Sequence, residues 1–316
     1  MIVGETVKIR PTSYREGNIS MEKQILITGS KSYIGTSFQQ YISKKNGNMP
    51  LHDQWHVTFV SVRNSEWKQM DFSKYDTILH VAGIVHRKET EDMKPLYEQV
   101  NRDLTLELAK KAKAEGVKQF IFLSTMSVYG VVTGKITEDT PLSPVNNYGR
   151  SKLEAEAGLQ ELASEAFVVS IVRPPMIYGK DCTGNYALLS KLAKKIPVFP
   201  KVANERSMLY IDNLSEFLYR LADRRQGGIF CPQNRHYVNT SDMVARIAES
   251  YGKPMLLIPG FGWLIRLMAK KITLFAKVFG SLTYEQAMSF PEMIGDYEAI
   301  DYEESIRKSG GKASLN

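Results

Sequence analysis

The stretch Ile25-Leu26-Ile27-Thr28-Gly29-Ser30-Lys31-Ser32-Tyr33-Ile34-Gly35 decides how this chain is read. An apolar run breaks at Gly29, Gly35 follows six residues on, and a helical pattern extends from about Tyr33 to Lys44. Glycine at the first position permits a tight strand-to-helix turn, and at the second it lets the helix pack closely on the strand. The first N–H groups of such a helix have no intrahelical acceptor and suit an anion such as a pyrophosphate. Two glycines six apart also occur in ordinary turns; their place after the first strand of an alternating chain gives them weight. Gly29, Ser32, Tyr33, Ile34 and Gly35 are therefore expected to line a phosphate loop. Ser32 stands where such loops usually carry a middle glycine, so its side chain either crowds the phosphates or donates a hydroxyl to them.

Outward from this loop, short apolar runs near residues 24–28, 56–62, 77–81, 119–124 and 167–172 alternate with helical patterns near 33–44, 94–115 and 147–163. In the second of these helices Leu96, Val100, Leu104, Leu108 and Ala112 recur every four residues, which predicts one buried stripe, and Gly116 marks the stop. Runs such as Phe120-Ile121-Phe122-Leu123 are apolar throughout, as expected of strands covered on both faces. The alternation predicts an α/β fold: a doubly wound parallel sheet. After Pro174 the pattern loosens into helices near 186–194, 213–222, 241–251 and 262–277 with short strands such as 208–211, as in a smaller mixed α/β domain. The expected organisation is a flexible extension over 1–21, a dinucleotide-binding domain over 22–178 with a returning segment near 206–240, a substrate-binding domain from 179–205 and 241–309, and a tail over 310–316.

The 316 residues carry a net charge of +7, which favours an anionic partner: nucleic acid, a membrane surface or a phosphate-bearing small molecule. No aromatic–basic interleaving of RNA-binding type is present, so nucleic acid is not expected. No run reaches the roughly 18 apolar residues of a membrane span, and stable insertion is not expected. Residues 261–282 place Trp263, Phe275 and Phe279 among Arg266, Lys270, Lys271 and Lys277, a composition shared by interfacial helices and by substrate-domain helices; the latter is the expectation. Cys182 and Cys231, without a CxxC or a histidine cluster, indicate neither a metal site nor a disulfide framework, and a reduced, cytoplasmic setting is expected.

The second strand ends in Val60-Ser61-Val62-Arg63-Asn64, without the acidic residue that holds an NAD ribose. Arg63 suits the 2′-phosphate of NADP, so NADP(H) is favoured and NAD(H) left open. Tyr148 and Lys152, four apart, share one face of a helix. A tyrosine titrating near pH ~10 needs neighbouring positive charge to act as a base. The same spacing occurs by chance, as in Tyr41 and Lys45, which is read as a helix surface. The later pair differs in context. The strand before it ends in Ser124-Thr125-Met126-Ser127-Val128-Tyr129-Gly130, and Arg173-Pro174-Pro175-Met176-Ile177-Tyr178-Gly179 follows the next strand.

With His80-Val81-Ala82-Gly83 and Val100-Asn101 in order between them, these motifs resemble the extended short-chain dehydrogenase/reductases over roughly residues 22–308. The resemblance implies a Rossmann sheet in which Tyr148 is the acid/base, Lys152 binds the nicotinamide ribose and lowers the tyrosine pKa, and Thr125 hydrogen-bonds the reacting oxygen. It implies further that Asn101 positions this machinery, that Ala82, Gly83 and Pro174 line the dinucleotide, and that Asp71-Phe72 lies near the adenine. Arg206 resembles the arginine that pairs with a substrate diphosphate, and Asn185 and Met126 resemble sugar-pocket positions. A second arginine that relatives carry before Gly-Asp is replaced here by Ile294. The implied substrate is a nucleotide sugar, and the implied assembly is a homodimer through the helices carrying Asn101 and Tyr148.

Dehydratases of this kind follow the catalytic threonine with an acid and a base for eliminating water; Met126-Ser127 does neither near neutral pH. A 4-keto-sugar-nucleotide reductase of surface polysaccharide precursor synthesis and a nucleotide-sugar 4-epimerase remain. Only about fourteen residues separate Arg63 from the next strand, too few for the usual helix, strand and helix. That shortening, with Arg63, favours the NADPH-dependent reductase. A non-catalytic NADP-sensing or RNA-associated role is disfavoured by the intact Tyr148–Lys152 pair.

Overall fold

The computed structural model describes residues 23–85, 90–262, 276 and 278–310; the expected extension over 1–21, the tail after residue 310 and most of the amphipathic stretch 261–282 lie outside the described residues. The described strands are β1 (Lys23–Thr28), β2 (Trp55–Val60), β3 (Thr77–His80), β4 (Gln119–Leu123), β5 (Gly134–Ile136), β6 (Val168–Val172), β7 (Met176–Tyr178), β8 (Val198–Pro200), β9 (Met208–Tyr210), β10 (Gly228–Phe230), β11 (Leu256–Ile258) and β12 (Leu282–Tyr284). Six of them form one sheet in the order β10-β6-β4-β3-β1-β2, every pair parallel. The remaining six form three two-stranded pairs, β11 with β8, β12 with β5 and β7 with β9.

Both faces of the sheet are covered, which explains why its strands lack polar alternation. Successive side chains point to opposite faces. Ile25, Ile27, Leu79, Ile121 and Leu123 join one core with α1 (Tyr33–Asn46), α5 (Asn185–Lys195), α6 (Ile211–Asp223) and α7 (Thr240–Ser250). Leu26, Ile78, Phe120 and Phe122 join a second core with Leu108 and Ala112 of α3 (Leu104–Ala114) and Ala155 and Leu159 of α4 (Asn147–Leu162). The chain leaves β1 toward β2 on one side and reaches β3 on the other. Their carboxyl ends therefore open a crevice of the kind in which such sheets bind ligands. β2 is the edge strand, and only the 3-10 turn Glu66–Gln69, with Trp67 buried, stands between it and β3.

The expected buried stripe needs correction. The helical stretch before α3 consists of α2 (Lys94–Tyr97) and a π-helical turn (Glu98–Asp103), and from there into the start of α3 Tyr97, Asn101 and Thr105 are fully enclosed while Leu96 is exposed and Val100 and Leu104 are half-buried. A π-turn takes an additional residue, which rotates the buried face before the regular helix resumes with Leu108 and Ala112. The early Tyr41/Lys45 pair is also more than a surface: Tyr41 Oη donates to Glu216, and Lys45 Nζ bonds the same carboxylate at 2.8 Å, tying α1 to α6. Cys182 and Cys231 are buried free thiols. Among the described residues no helix is long and apolar enough to cross a membrane.

Candidate functional site

At the carboxyl end of β1, Gly29 adopts φ +88°, a conformation that side chains rarely take, and a Cβ there would lie 3.4 Å from the Ala82 backbone. Its N–H bonds Val60 O of β2 at 3.1 Å. Ser32 caps α1: its Oγ accepts from Gly35 N–H at 2.9 Å, and the helix has no acidic residue in its first turn. That contact settles the orientation of Ser32, whose oxygen is spent on the helix and whose hydroxyl proton is left to donate. Gly35 packs where a Cβ would come to 2.7 Å from Ser32 Oγ and 3.1 Å from Ile27. Tyr33 turns its ring toward Gly179, where a Cβ would lie 2.5 Å from the phenol oxygen, and Ile34 packs on the first core.

The adenine-side residues divide. Arg63 is exposed just beyond β2. Asp71 is exposed, and its carboxylate accepts from Ser73 Oγ at 2.6 Å and Ser73 N–H at 2.9 Å, which holds it below the usual carboxylate range. Phe72 departs from the expectation: its side chain is fully buried, stacks near Trp67 and lies under Lys111, and its N–H donates to Glu115 at 2.6 Å. The Phe72 side chain belongs to the second core, and of the pair only the Asp71 side chain is exposed.

Thr125, Tyr148 and Lys152 come together over the end of β4. Thr125 begins the 3-10 turn Met126–Tyr129, its Oγ accepting from Ser127 N–H at 3.1 Å, and its hydroxyl stands beside the Tyr148 phenol. Asn146 caps α4 by accepting from Gly149 N–H at 2.8 Å, so Tyr148 stands in the first turn and Lys152 one turn on. Burial pushes the Tyr148 phenol up to about 12, against the opposing pull of the neighbouring Thr125 hydroxyl. Burial likewise pushes the Lys152 ammonium down to about 7, with the Glu156 carboxylate opposing. Lys152 Nζ donates to Leu123 O at 2.7 Å and lies 4.4 Å from the centre of the Phe122 ring. Gly83 completes the group, since a Cβ on it would be 3.0 Å from Asn101 Oδ1 and 3.5 Å from Lys152 Nζ. Asn101 exchanges two bonds with the Ile84 backbone, at 2.8 and 3.2 Å, and reaches Ser151 Oγ at 3.1 Å. Pro174 is buried alongside, its carbonyl accepting from Met126 N–H at 3.1 Å.

Arg206 is 8% exposed; Nη1 donates to Gly280 O at 2.7 Å while the buried Nε has no partner. Among the described residues no carboxylate lies against it, and burial pushes its guanidinium down to about 10. A buried cation in this state is suited to an anionic ligand. Ile294 is fully buried in the first core. Asn185 opens α5 after Gly184 at φ +82°, and no described hydrogen bond joins it to the Thr125–Tyr148–Lys152 group. A groove of about 800 Å³ along α1, between Tyr33, Lys44, Lys180 and Asp212, includes none of these three residues or Arg206.

Sequence reasoning overlooked a buried set behind the site. Glu156, four residues after Lys152, receives Arg173 Nη2 at 2.5 Å and Nε at 3.1 and 3.2 Å together with the Ser124 hydroxyl, and Arg173 Nη1 donates to Tyr129 Oη at 2.9 Å. The spacing 148, 152, 156 was the available signal. His80 lies between Thr28 and Thr105, a link that the sequence reading did not draw.

Comparison with known proteins places this geometry. Residues 25–231 match the model of the NAD dependent epimerase/dehydratase family. The chain is 30% identical over 275 residues to a UDP-glucose 4-epimerase of Vibrio cholerae, covering 80% of this chain and 84% of that protein. It is 28% identical over 256 residues to the N-acetyl-alpha-D-glucosaminyl-diphospho-ditrans,octacis-undecaprenol 4-epimerase of Escherichia coli O157:H7, covering 76% of each. A dTDP-4-dehydrorhamnose reductase from Clostridium acetobutylicum superposes with a TM-score of 0.69 at 20% identity, over 90% of this chain and 98% of that one. The chain belongs to the NAD dependent epimerase/dehydratase family.

Proposed function

We propose that the protein transfers a hydride between a nicotinamide dinucleotide and C4 of a nucleotide sugar, working as an NADPH-dependent 4-keto-sugar reductase in surface polysaccharide precursor synthesis. The observation that carries this reading is the gathering of Thr125, the Tyr148 phenol and buried Lys152 at the carboxyl end of the sheet. The cradle of Gly29, whose φ of +88° disfavours a side chain, and Gly83, where a Cβ would press on Asn101, fits a dinucleotide lying against the backbone, with Ser32 Oγ–H, Ala82 and Pro174 lining it. When bound, that group supplies the hydride. Tyr148 gives its phenol proton to the sugar C4 oxygen, and Thr125 orients that oxygen. Lys152 holds the nicotinamide ribose and stabilises the phenolate left behind, while Asn101 fixes the turn between Tyr148 and Lys152 through Ser151.

Arg206 Nε meets the substrate diphosphate, and Met126 and Asn185 line the sugar. Exposed Arg63, in place of a carboxylate, receives the 2′-phosphate of NADP. In this reading residues 179–205 and 241–309 form the substrate part over the dinucleotide part 22–178, and residues 206–240 return to the sheet through β10. The enzyme works in the cytoplasm as a homodimer paired through the Asn101 and Tyr148 helices, whose outer face carries exposed Leu96.

Nucleotide-sugar 4-epimerisation is the second reading, favoured by the UDP-glucose 4-epimerase relative; the other 4-epimerase relative is named for a sugar carried on undecaprenol diphosphate. One experiment separates the two: identify the dinucleotide released from denatured protein, then assay UDP-glucose and UDP-N-acetylglucosamine without added cofactor and a 4-keto-6-deoxy nucleotide sugar with NADPH. NADPH oxidation by the keto sugar supports reduction; retained NAD with C4 inversion supports epimerisation. Inertness in both assays, with dinucleotide bound, overturns the proposal.

A further inference from the structure

His80 is the last residue of β3, is wholly buried, and packs against Phe122 with ring centres 5.9 Å apart and Phe120 at 5.7 Å. Its ring bridges two hydroxyls: Nδ1 lies 2.7 Å from Thr28 Oγ1 and Nε2 lies 2.9 Å from Thr105 Oγ1. Thr105 donates its own proton to Asn101 O at 2.8 Å, so its oxygen accepts from His80 Nε2–H. Nδ1 is then the bare nitrogen and accepts the Thr28 hydroxyl, whose oxygen in turn faces Ala82 N–H at 3.4 Å. The bonds run in one direction, from the residue before Gly29 to the carbonyl of Asn101. Among the described residues Nδ1 has only the Thr28 hydroxyl as a hydrogen-bond partner; burial, followed by the nearby Lys152 charge, pushes His80 down to about 3 and keeps it neutral.

We infer that His80 is a positioning residue of the active site, holding Asn101 in the π-turn through Thr105 and thereby placing Tyr148 and Lys152. Asn101 has two ends. Its carbonyl is held from below by Thr105, and its side chain grips Ile84 and Ser151 above, where Ser151 Oγ also donates to Tyr148 O at 3.0 Å. A π-turn is less favourable than regular helix and persists where tertiary contacts over-determine it. The Thr105 bond is one of those contacts, and His80 orients it. Because the other ring nitrogen takes Thr28, the same imidazole joins the start of the phosphate loop to the catalytic helix. His80 itself touches no reacting atom.

The activity arm of the test rests on the proposed hydride transfer, so a second arm reads the histidine directly. Thr105→Val keeps the shape and removes both bonds; Thr105→Ser keeps both bonds and loses a methyl. The valine variant should lose about 10–10²-fold in kcat, as expected when reacting groups are displaced by a fraction of an ångström, with KM for the sugar and Kd for the dinucleotide within about 3-fold. The serine variant should stay within about 3-fold of wild type, and His80→Phe should repeat the valine result. Equal losses in valine and serine, or a valine loss confined to KM, overturn the inference. In the other arm, nitrogen-15 histidine spectra of the unmodified protein should show His80 as the Nε2–H tautomer, unchanged from about pH 5 to about pH 9. Titration within that range, or an Nδ1–H tautomer, overturns it even if catalysis is normal; the expected spectrum in a protein without hydride transfer would reject the functional reading alone.

Discussion

Replacing Arg206 by methionine should move two properties in opposite directions. The guanidinium is buried, keeps one hydrogen bond to Gly280 O and leaves Nε unpartnered. Its descent from 12.5 to about 10 corresponds, at about 1.4 kcal/mol for each tenfold change, to roughly 3 kcal/mol against the charged form in the unliganded protein. The cation is protonated in both folded and unfolded chains near neutral pH, so that cost applies in full there. Methionine removes it and fills much of the same volume, but forfeits the bond to Gly280 O, worth about 1.5–3 kcal/mol for a charged donor. The first term matches or exceeds the second, so unliganded stability should be unchanged or raised, by up to about 2 kcal/mol. Affinity for a nucleotide sugar should fall about 10–100-fold, since a charge-assisted contact of about 1.5–3 kcal/mol is lost, while dinucleotide affinity stays put. Urea unfolding of the unliganded variant and calorimetric titration with UDP-glucose, UDP-N-acetylglucosamine and NADPH measure both halves. Destabilisation by more than about 2 kcal/mol with sugar-nucleotide affinity intact would refute the reasoning and make Arg206 a structural residue.

Tyr148→Phe should lower kcat by about 10²–10⁴ while leaving dinucleotide binding unchanged by calorimetry, because ring packing survives and only the proton is lost. Arg63→Asp should invert the ratio of kcat/KM for NADPH over NADH, by about one to two factors of ten in each direction; a wild type that already prefers NADH, with an unaltered ratio in the variant, contradicts the assignment. Lys152 is pushed from 10.5 down to about 7, so between those values the unfolded chain holds a proton that the folded one has released, and this site adds stability as pH rises. The Lys152→Met variant lacks that gain: the stability difference between wild type and variant should shift in favour of wild type from about pH 7 to about pH 9, by up to about 1.4 kcal/mol per pH unit, and a difference independent of pH contradicts it.

The sheet was legible because its signals are local. Phe120-Ile121-Phe122-Leu123 declares a strand covered on both faces, and Gly29 with Gly35 declares a turn that only small residues can make. Tyr148 and Lys152 were legible as neighbours since four residues make one helical turn. The features that escaped reading depend on partners far along the chain. The π-turn at Glu98–Asp103 exists because Asn101 is gripped by Ile84 and Ser151, and neither contact leaves a periodic trace. Phe72 looked like a ligand-side residue and was claimed by Trp67 and Glu115. Tyr41 and Lys45 looked solvated until α6 brought Glu216 against them. β10 is three residues at a sheet edge with glycine at its start, too short to announce itself.

The additional residue in that π-turn also bears on how this helix tolerates insertions and deletions. Removing one residue between Glu98 and Asp103 would allow a continuous α-helix from Lys94 to Ala114, which is locally the better-bonded conformation. Each residue of an α-helix advances about 100° around its axis, so such a deletion would also swing Tyr97 and whatever remained of the Asn101 turn out of register with Ser151. Length variants of this segment should therefore be preserved or lost as whole pieces with the catalytic group: a shortened helix yields a sturdier scaffold, and only the longer, less regular one can hold the site together.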